Sequence, residues 1–246
     1  MVASSSCIAE CNTALNVIVA EEFKNACDVL ENAENFEESA MEYIAKTLRE
    51  HQRVIFNGNG YSEEWVEEAK RRGLPNVKTY CEAIESATSE KTIQIFEDLK
   101  VLSKKELEAR AEIMYETYIN AKDIEAKTAL NMAKQQYLPA VRSYVAILAK
   151  EAEDVKKVYK GDVFSYTAIA QKALELLDKA TKAVDALEVA ATEAQSKTCG
   201  KCMAYAYKDL VVPALEALRE PIDALEEIVD KDYWPVPSYA DLMFEV

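Results

Sequence analysis

Two stretches near the start of the chain place apolar residues three and four positions apart, the pattern of an amphipathic helix. The first runs over residues 12–30 and the second over residues 36–48. The stripes that we expect to face inward are Leu15, Ile18, Val19, Phe23, Ala26, Cys27 and Leu30 in the first helix, and Phe36, Ala40, Tyr43, Ile44, Thr47 and Leu48 in the second. The polar segment between the helices predicts an antiparallel hairpin.

The pattern then shortens into a connector. Its apolar run, Val54-Ile55-Phe56, predicts either a buried extended segment or the anchor of a loop. The NGNG sequence that follows predicts a tight turn, because Gly and Asn tolerate positive φ. Ser62 predicts the N-cap of a short helix, and Gly73 predicts its C-terminal end. Two further short helices are predicted over residues 81–87 and 90–99.

From Ser103 and Glu106, which form a capping-box pattern, the helical periodicity becomes long. It predicts three long helices, Lys104–Tyr159, Phe164–Gln195 and Lys201–Val229, with Gly161 and Gly200 at the two corners. An interior proline removes one backbone donor and clashes with the preceding turn. We therefore expect Pro139 to bend or break the first long helix, and Pro213 and Pro221 the third.

The last segment, residues 233–246, combines Pro235 and Pro237 with several large apolar side chains. The two prolines predict an extended tail, since the residue before a proline avoids helical geometry. Leaving a large apolar side chain in water forgoes roughly 1.5–3 kcal/mol of burial free energy. We therefore expect this tail to be pinned against the long helices or a neighbouring subunit, with Trp234 and Phe244 as anchors.

Together these patterns predict an all-α protein, in which a helical hairpin and short helices precede an antiparallel bundle of three long helices and an extended C-terminal tail. The predicted segments are a terminal hairpin (1–52), a connector (53–102), a long-helix bundle (103–232) and an aromatic tail (233–246). The composition agrees, because the 246 residues include only five glycines and six prolines.

Charge and cysteine content narrow the functional classes. The formal net charge of −15 argues against a nucleic-acid partner, because phosphate binding needs clustered Lys and Arg. The sequence contains no window of 18 consecutive apolar residues, so no membrane span is predicted. The first residues lack the pattern of a secretory signal. The six cysteines are irregularly spaced, so we expect reduced thiols and a cytoplasmic location.

Candidate chemistry is sparse. Gly58 and Gly60 lack the third glycine of a dinucleotide fingerprint and the Gly-Lys-Ser/Thr of a phosphate loop, which favours a simple turn. Cys199 and Cys202 form a CxxC without a second pair, so a helix corner is the main interpretation, with zinc binding or redox chemistry left as alternatives. His51 is the single histidine, which leaves a histidine-based triad or metal site without partners. Six tyrosines at helical spacing are interpreted as core or interface residues: Tyr115, Tyr118, Tyr137, Tyr144, Tyr205 and Tyr207.

Three segments, in this order and spacing, resemble the carboxyl-terminal region of type III glutamine synthetases. They are RVIFNGNGYSEEWVEEAKRRGLPN, then ELEARAEIMYETYINAKDIEAKTALNMAKQQYLPAVRSY, then DYWPVPSYADLMFEV. The opening SSSCIAECNTALNVIVAEEF is similar to the end of that family's catalytic domain. The resemblance covers essentially the whole chain.

The resemblance implies a helical domain of a larger enzyme, one that makes glutamine from glutamate and ammonia with ATP and divalent metal ions. Those cofactors are implied for the intact enzyme only, and we predict no catalytic, cofactor-binding or metal-binding residue in this chain. We expect a structural role for this chain, in the assembly of the enzyme. The expected partners are other parts or subunits of glutamine synthetase or a second copy of the chain, with no nucleic acid and no membrane.

Two other functions stay open at this point. The chain could be a free-standing helical interaction protein that modulates glutamine synthetase or another partner. It could also be a small zinc or redox protein built on Cys199 and Cys202.

Overall fold

The computed structural model describes residues 7–237 and 239–244, and the side chains of all of these except 239, 240 and 244. Every regular element in the described residues is helical, which confirms the all-α prediction. None of these helices combines the length and the apolar character that a membrane span needs. The chain divides into two compact units, Met1–Ala111 and Glu112–Val246, and each is described by itself. The four-segment division made from the sequence stays a prediction.

The first unit consists of short and medium helices. They are α1 (Ala9–Leu30), α2 (Phe36–Glu50), a single 3₁₀ turn (Gln52–Val54), α3 (Glu63–Arg71), α4 (Tyr80–Ala87), α5 (Glu90–Asp98) and the start of α6 (Lys104–Met132). Polar caps set several of these boundaries, because a side-chain oxygen accepts a hydrogen bond from an otherwise unpaired amide. Ser62 Oγ accepts the Trp65 N–H at 3.4 Å, as predicted. The predicted capping box is also present, with Glu106 Oε2 accepting the Ser103 N–H at 2.8 Å and Ser103 Oγ accepting the Glu106 N–H at 3.4 Å.

The second unit is built from three long helical segments. The first continues α6 through a π-helical turn (Ala133–Tyr137) into α7 (Leu138–Val158), and the second is α8 (Phe164–Gln195). The third comprises α9 (Gly200–Ala206), a π-helical turn (Tyr207–Val211) and α10 (Val212–Glu226). The short helix α11 (Tyr239–Phe244) follows.

Side-chain contacts fix the directions of these segments. Asp123 in α6 meets Gln195 at the end of α8 with a 2.7 Å hydrogen bond, whereas Lys134 pairs with Glu188 earlier in α8. The first and second segments therefore run antiparallel. Tyr207 in the third segment returns to Asp123, which places its start beside the end of α8. The three segments enclose one core, whose most buried side chains include Val141, Leu187, Tyr207, Val211 and Leu225.

Two of the three interior prolines coincide with changes of helix type. The N–H of Leu138 donates to the carbonyl of Ala133, and the N–H of Val212 donates to that of Tyr207, each five residues back. Pro139 and Pro213 follow directly, so each helix is widened at the proline rather than broken. Pro221 lies buried inside α10 without ending it, which corrects the expectation of an interruption there.

The connector differs from its prediction in two ways. Val54 and Ile55 are exposed, so the alternative of a buried extended segment is wrong, whereas Phe56 packs on Trp65 and fits the alternative of a loop anchor. Among the described glycines only Gly73 has positive φ, at 70°, so the glycines of the NGNG sequence serve another purpose. A Cβ on Gly58 would lie 2.4 Å from the Phe56 ring, so this position requires a glycine for close approach. Gly73 ends α3 in the left-handed conformation, as predicted.

The C-terminal tail is partly helical, which corrects the prediction of an extended segment throughout. Residues 233–237, around Pro235 and Pro237, belong to no helix, and α11 begins two residues after the second proline. Its sequence contains Ala, Leu and Met, which favour helix. Trp234 packs on the bundle as predicted, stacked on Tyr137 with ring centroids 5.1 Å apart. The predicted contact of the Phe244 side chain lies outside the described residues.

Candidate interaction surface

The first two helices expose a stripe of large apolar side chains, which we call the hairpin face. Its members are each more than half exposed; they are Leu15, Ile18, Val19 and Phe23 on α1, and Phe36, Met41, Ile44 and Leu48 on α2. Seven of these eight were expected from the sequence to face inward or lie in the apolar stripe, and that expectation is wrong for this unit by itself. The stripe was identified correctly, but no described residue of the same unit covers it.

The buried side of α1 is a different one. Val17, which does not belong to the predicted stripe, is 5% exposed and packs with Phe96 and Leu107 in a small core. Ile93, Ile95, Leu99 and Leu102 complete this core. Because α1 already has an inner side here, the hairpin face is a second apolar surface. Contiguous exposed apolar area of this kind marks an interaction site in most folded proteins.

The connector beside the hairpin is held rigidly by one aromatic and ionic cluster. Trp65 stacks on Phe56 with ring centroids 4.1 Å apart, and the Arg72 guanidinium lies 5.4 Å from the Trp65 ring. Arg72 also donates to the carbonyls of Arg53 and Ile55, at 3.1 and 2.8 Å. These contacts tie the end of α3 back to the segment that leaves α2. Phe56, immediately before the NGNG turn, is thus held against α3, while the four turn residues themselves are exposed.

Glu68 completes the cluster. Its carboxylate accepts hydrogen bonds from Arg71 at 2.7 Å and from Arg72 at 2.6 Å. These hydrogen bonds, those of Arg71 first and that of Arg72 second, lower the pKa of Glu68 to about 2. The carboxylate is therefore ionised throughout the neutral range and acts as a structural anion. This role needs no substrate.

The residues singled out for chemistry do not converge. His51 caps the end of α2, whereas Cys199 and Cys202 lie at the start of α9. Across residues 7–237 and 239–244, no three side chains of His, Cys, Asp or Glu come together where they could hold an ion. The described donor set therefore does not fit the divalent ions implied for an intact synthetase. No reaction step is assigned to this chain.

The tyrosines are structural, as the sequence indicated. Tyr115 and Tyr207 are buried, and Tyr137 and Tyr144 contact the aromatic residues that follow α10. Burial raises the pKa of Tyr137, Tyr144 and Tyr207 above the usual value, so all three phenols stay neutral at physiological pH. Tyr205 is half-buried, and the Lys201 and Lys208 ammonium groups lie 5.9 and 5.2 Å from the centre of its ring.

The sequence did not predict one polar cluster, which is centred on Asp123. Asp123 Oδ1 accepts the Tyr207 hydroxyl at 2.9 Å and the Gln195 amide at 2.7 Å, while Oδ2 accepts Lys127 Nζ at 2.6 Å. Burial raises the pKa of Asp123, but the hydrogen bonds from Lys127, Tyr207 and Gln195 outweigh that effect, and the net pKa is lowered. This carboxylate joins all three long segments. No local sequence signal points to it, because two partners lie far away along the chain.

Cys199 and Cys202 are joined by a disulfide across the first turn of α9. The expectation of reduced thiols is therefore wrong for this pair. The physical reason is the helix start, since the N-cap and third-position side chains meet with Cα atoms 5.2 Å apart, inside the range that a disulfide spans. Cys7, Cys11 and Cys27 are exposed free thiols.

Comparison with known proteins agrees with the resemblance seen in the sequence. A family model described as the glutamine synthetase C-terminal domain matches residues 39–156. The type-3 glutamine synthetase of Dictyostelium discoideum is 32% identical over 94% of this chain and 32% of its own length. A glutamine synthetase of Butyrivibrio fibrisolvens is 31% identical over 87% of this chain and 31% of its own length. One from Bacteroides fragilis is 29% identical over 98% of this chain and 34% of its own. The chain thus spans about a third of the length of these relatives.

Proposed function

Because the chain belongs to the glutamine synthetase family through its C-terminal domain, we propose that it is a structural and assembly domain that is not catalytic by itself. The observation that carries this proposal is the hairpin face. Eight large apolar side chains would not stay in water in a working protein, since each forgoes roughly 1.5–3 kcal/mol of burial free energy. The proposed occupant is the catalytic part of a glutamine synthetase.

Length supports that choice of occupant. The relatives contain about twice as much polypeptide outside the matched region as inside it, because the chain covers 31–34% of them. A helical hairpin that packs on the rest of a domain exposes its apolar face when that domain is absent, and the hairpin face of the first unit fits this description. The hairpin would then hold the C-terminal helices to the catalytic part, and the long-helix unit would be free for contacts between subunits.

The activity of the whole enzyme, ATP-dependent ligation of ammonia to glutamate, would lie outside this chain. We expect the purified chain, given glutamate, ATP, Mg²⁺ and hydroxylamine, to form no γ-glutamyl hydroxamate. The described residues offer no clustered ligands for the metal ions, which is the physical reason for this expectation. Turnover well above a no-protein control would overturn the non-catalytic role.

The assembly role is tested by co-expression. The chain is produced together with a tagged Bacteroides fragilis glutamine synthetase that lacks its own matched third. We expect the two to co-purify and to form oligomers visible by light scattering. Substituting Phe23→Glu together with Ile44→Glu places charges on the hairpin face and should abolish co-purification.

The matched control is Val54→Glu, which adds a charge at an exposed apolar residue of the same unit outside the hairpin face. It should leave co-purification unchanged. If the unaltered chain does not bind, or if Val54→Glu weakens binding as much as the hairpin variant, the hairpin face is not the docking surface and the proposal fails. Circular dichroism of each variant shows that the helices are retained.

A further inference from the structure

The corner between α8 and α9 carries the two cysteines that the proposed assembly role does not use. Cys199 and Cys202 are both solvent-exposed, as are the two residues between them. Their side chains lie on one face of the first helical turn, where the disulfide forms with Cα atoms 5.2 Å apart. A disulfide in this position is open to attack by thiols from solution.

The same turn suits the reduced pair. Cys199 is the N-cap residue of α9, and its sulfur accepts the backbone N–H of Cys202 at 3.1 Å. A hydrogen bond to a sulfur favours the thiolate over the thiol. Lys201 lies between the two cysteines in sequence and places a cationic side chain on the same helical turn. Both redox forms therefore fit one backbone conformation.

We propose that Cys199 and Cys202 form a reversible thiol–disulfide site that exchanges with small-molecule disulfides and thiols of the glutathione class. In the oxidising direction, the Cys199 thiolate attacks one sulfur of a disulfide RSSR, forming a mixed disulfide and releasing RS⁻. The Cys202 thiol then loses its proton and attacks the Cys199 sulfur, closing the protein disulfide and releasing a second RS⁻. The net change is protein dithiol plus RSSR to protein disulfide plus two RSH, a two-electron exchange.

The roles of the two cysteines are different. Cys199 is the attacking residue because its sulfur receives the N–H bond, and Cys202 is the resolving residue. Cys7, Cys11 and Cys27 are exposed as well, but none of them is disulfide-bonded. They provide an internal comparison for reactivity, since exposure is shared and pairing is not.

The experiment is a redox titration of the full chain. The protein is equilibrated in glutathione buffers of increasing GSSG content, quenched with acid and alkylated, and the pairing is mapped by peptide mass spectrometry. We expect the Cys199–Cys202 disulfide to form and break reversibly across the series, with one midpoint from either direction. A pair that stays fully reduced, or fully oxidised, in every buffer overturns the proposal.

Single variants test the assigned roles. Serine is a good N-cap residue, so Cys199→Ser keeps the helix start, and Cys202→Ser leaves the Cys199 cap in place. With oxidised glutathione, Cys202→Ser should accumulate a mixed disulfide on Cys199 several-fold faster than Cys27 does in the same molecule. Cys199→Ser should show no such enrichment on Cys202. Equal labelling of Cys199 and Cys27 would overturn the attacking role of Cys199 and, with it, the site.

Discussion

Among the polar residues at the surface of the long-helix unit, Asp123 should contribute most to its stability. Its side chain is 21% exposed, and it accepts the hydroxyl of Tyr207, which is 1% exposed. In Asp123→Ala the Tyr207 hydroxyl loses its acceptor in a buried place, which costs about 1–3 kcal/mol. Because the lost hydrogen bond is charge-assisted, we expect a loss of about 2–3 kcal/mol in the free energy of unfolding.

Two further variants separate the contributions. Tyr207→Phe removes donor and hydroxyl together and leaves Asp123 with two other partners, so we expect a loss of about 1 kcal/mol. Lys127 is 67% exposed, and Lys127→Ala should cost less than about 0.5 kcal/mol. At about 2–4 °C per kcal/mol for a chain of this size, Asp123→Ala should lower Tm by roughly 4–12 °C.

Urea unfolding followed by Trp234 fluorescence measures these losses. All variants are made in a Trp65→Phe background, so that the single remaining tryptophan reports on the long-helix unit. Asp123 and Tyr207 form a double-mutant cycle, and their coupling should be about 1 kcal/mol. The reasoning is refuted if Tyr207→Phe costs as much as Asp123→Ala, or if the two losses are simply additive.

The pH dependence provides a separate check. The pKa of Asp123 is lower in the folded protein than its unfolded value of about 4, so its contribution is fully present above that pH. It is lost as the pH falls through the lower folded value. The stability difference between the unaltered chain and Asp123→Asn should therefore shrink below pH of about 4. A difference that grows on acidification would contradict the lowered pKa.

Three further predictions concern other parts of the chain. The Trp234 ring stacks on Tyr137 and its Nε1–H donates to Glu226 at 3.0 Å, so Trp234→Ala should lower Tm. For the same reason Trp234 should fluoresce at short wavelength in the unaltered chain. An unchanged Tm would contradict this anchoring. Gly73→Ala should cost about 1 kcal/mol in a urea melt, since φ is +70° there, and no loss would show that the turn relaxes. Protonation of Glu68 between about pH 4 and pH 2 releases Arg71 and Arg72, so the first unit should lose stability over that range. Glu68→Gln should remove this step from a pH titration followed by circular dichroism.

Local signals predicted the elements well. Helix starts at Ser62 and Ser103, and the helix end at Gly73, depend on bonds within four residues, so the sequence contains the whole cause. The Asp123 cluster was not predictable in this way, since Gln195 and Tyr207 lie 72 and 84 positions away. Periodicity does not report which remote residue a carboxylate meets.

The hairpin face shows a second limit of pattern reading. Periodicity identified an apolar stripe through Ile18 and Phe23, but periodicity states only that a stripe needs covering. The partner that covers the stripe is determined by residues outside these two helices. Val17 lay outside the stripe and yet became the buried residue of α1, because α5 and the start of α6 lie on that side.

The two π-helical turns carry an implication for how this chain tolerates change in length. Each turn closes hydrogen bonds over five residues instead of four, so it accommodates one residue more than an α-helical turn would. Deleting one residue from Ala133–Tyr137 should therefore restore an ordinary helix and leave Val141 and Leu148 facing the core. Deleting a residue within α7 would instead rotate everything beyond it by about 100°. Changes of one residue in length should thus be tolerated at the two π-helical turns and not elsewhere along these two helices of the bundle.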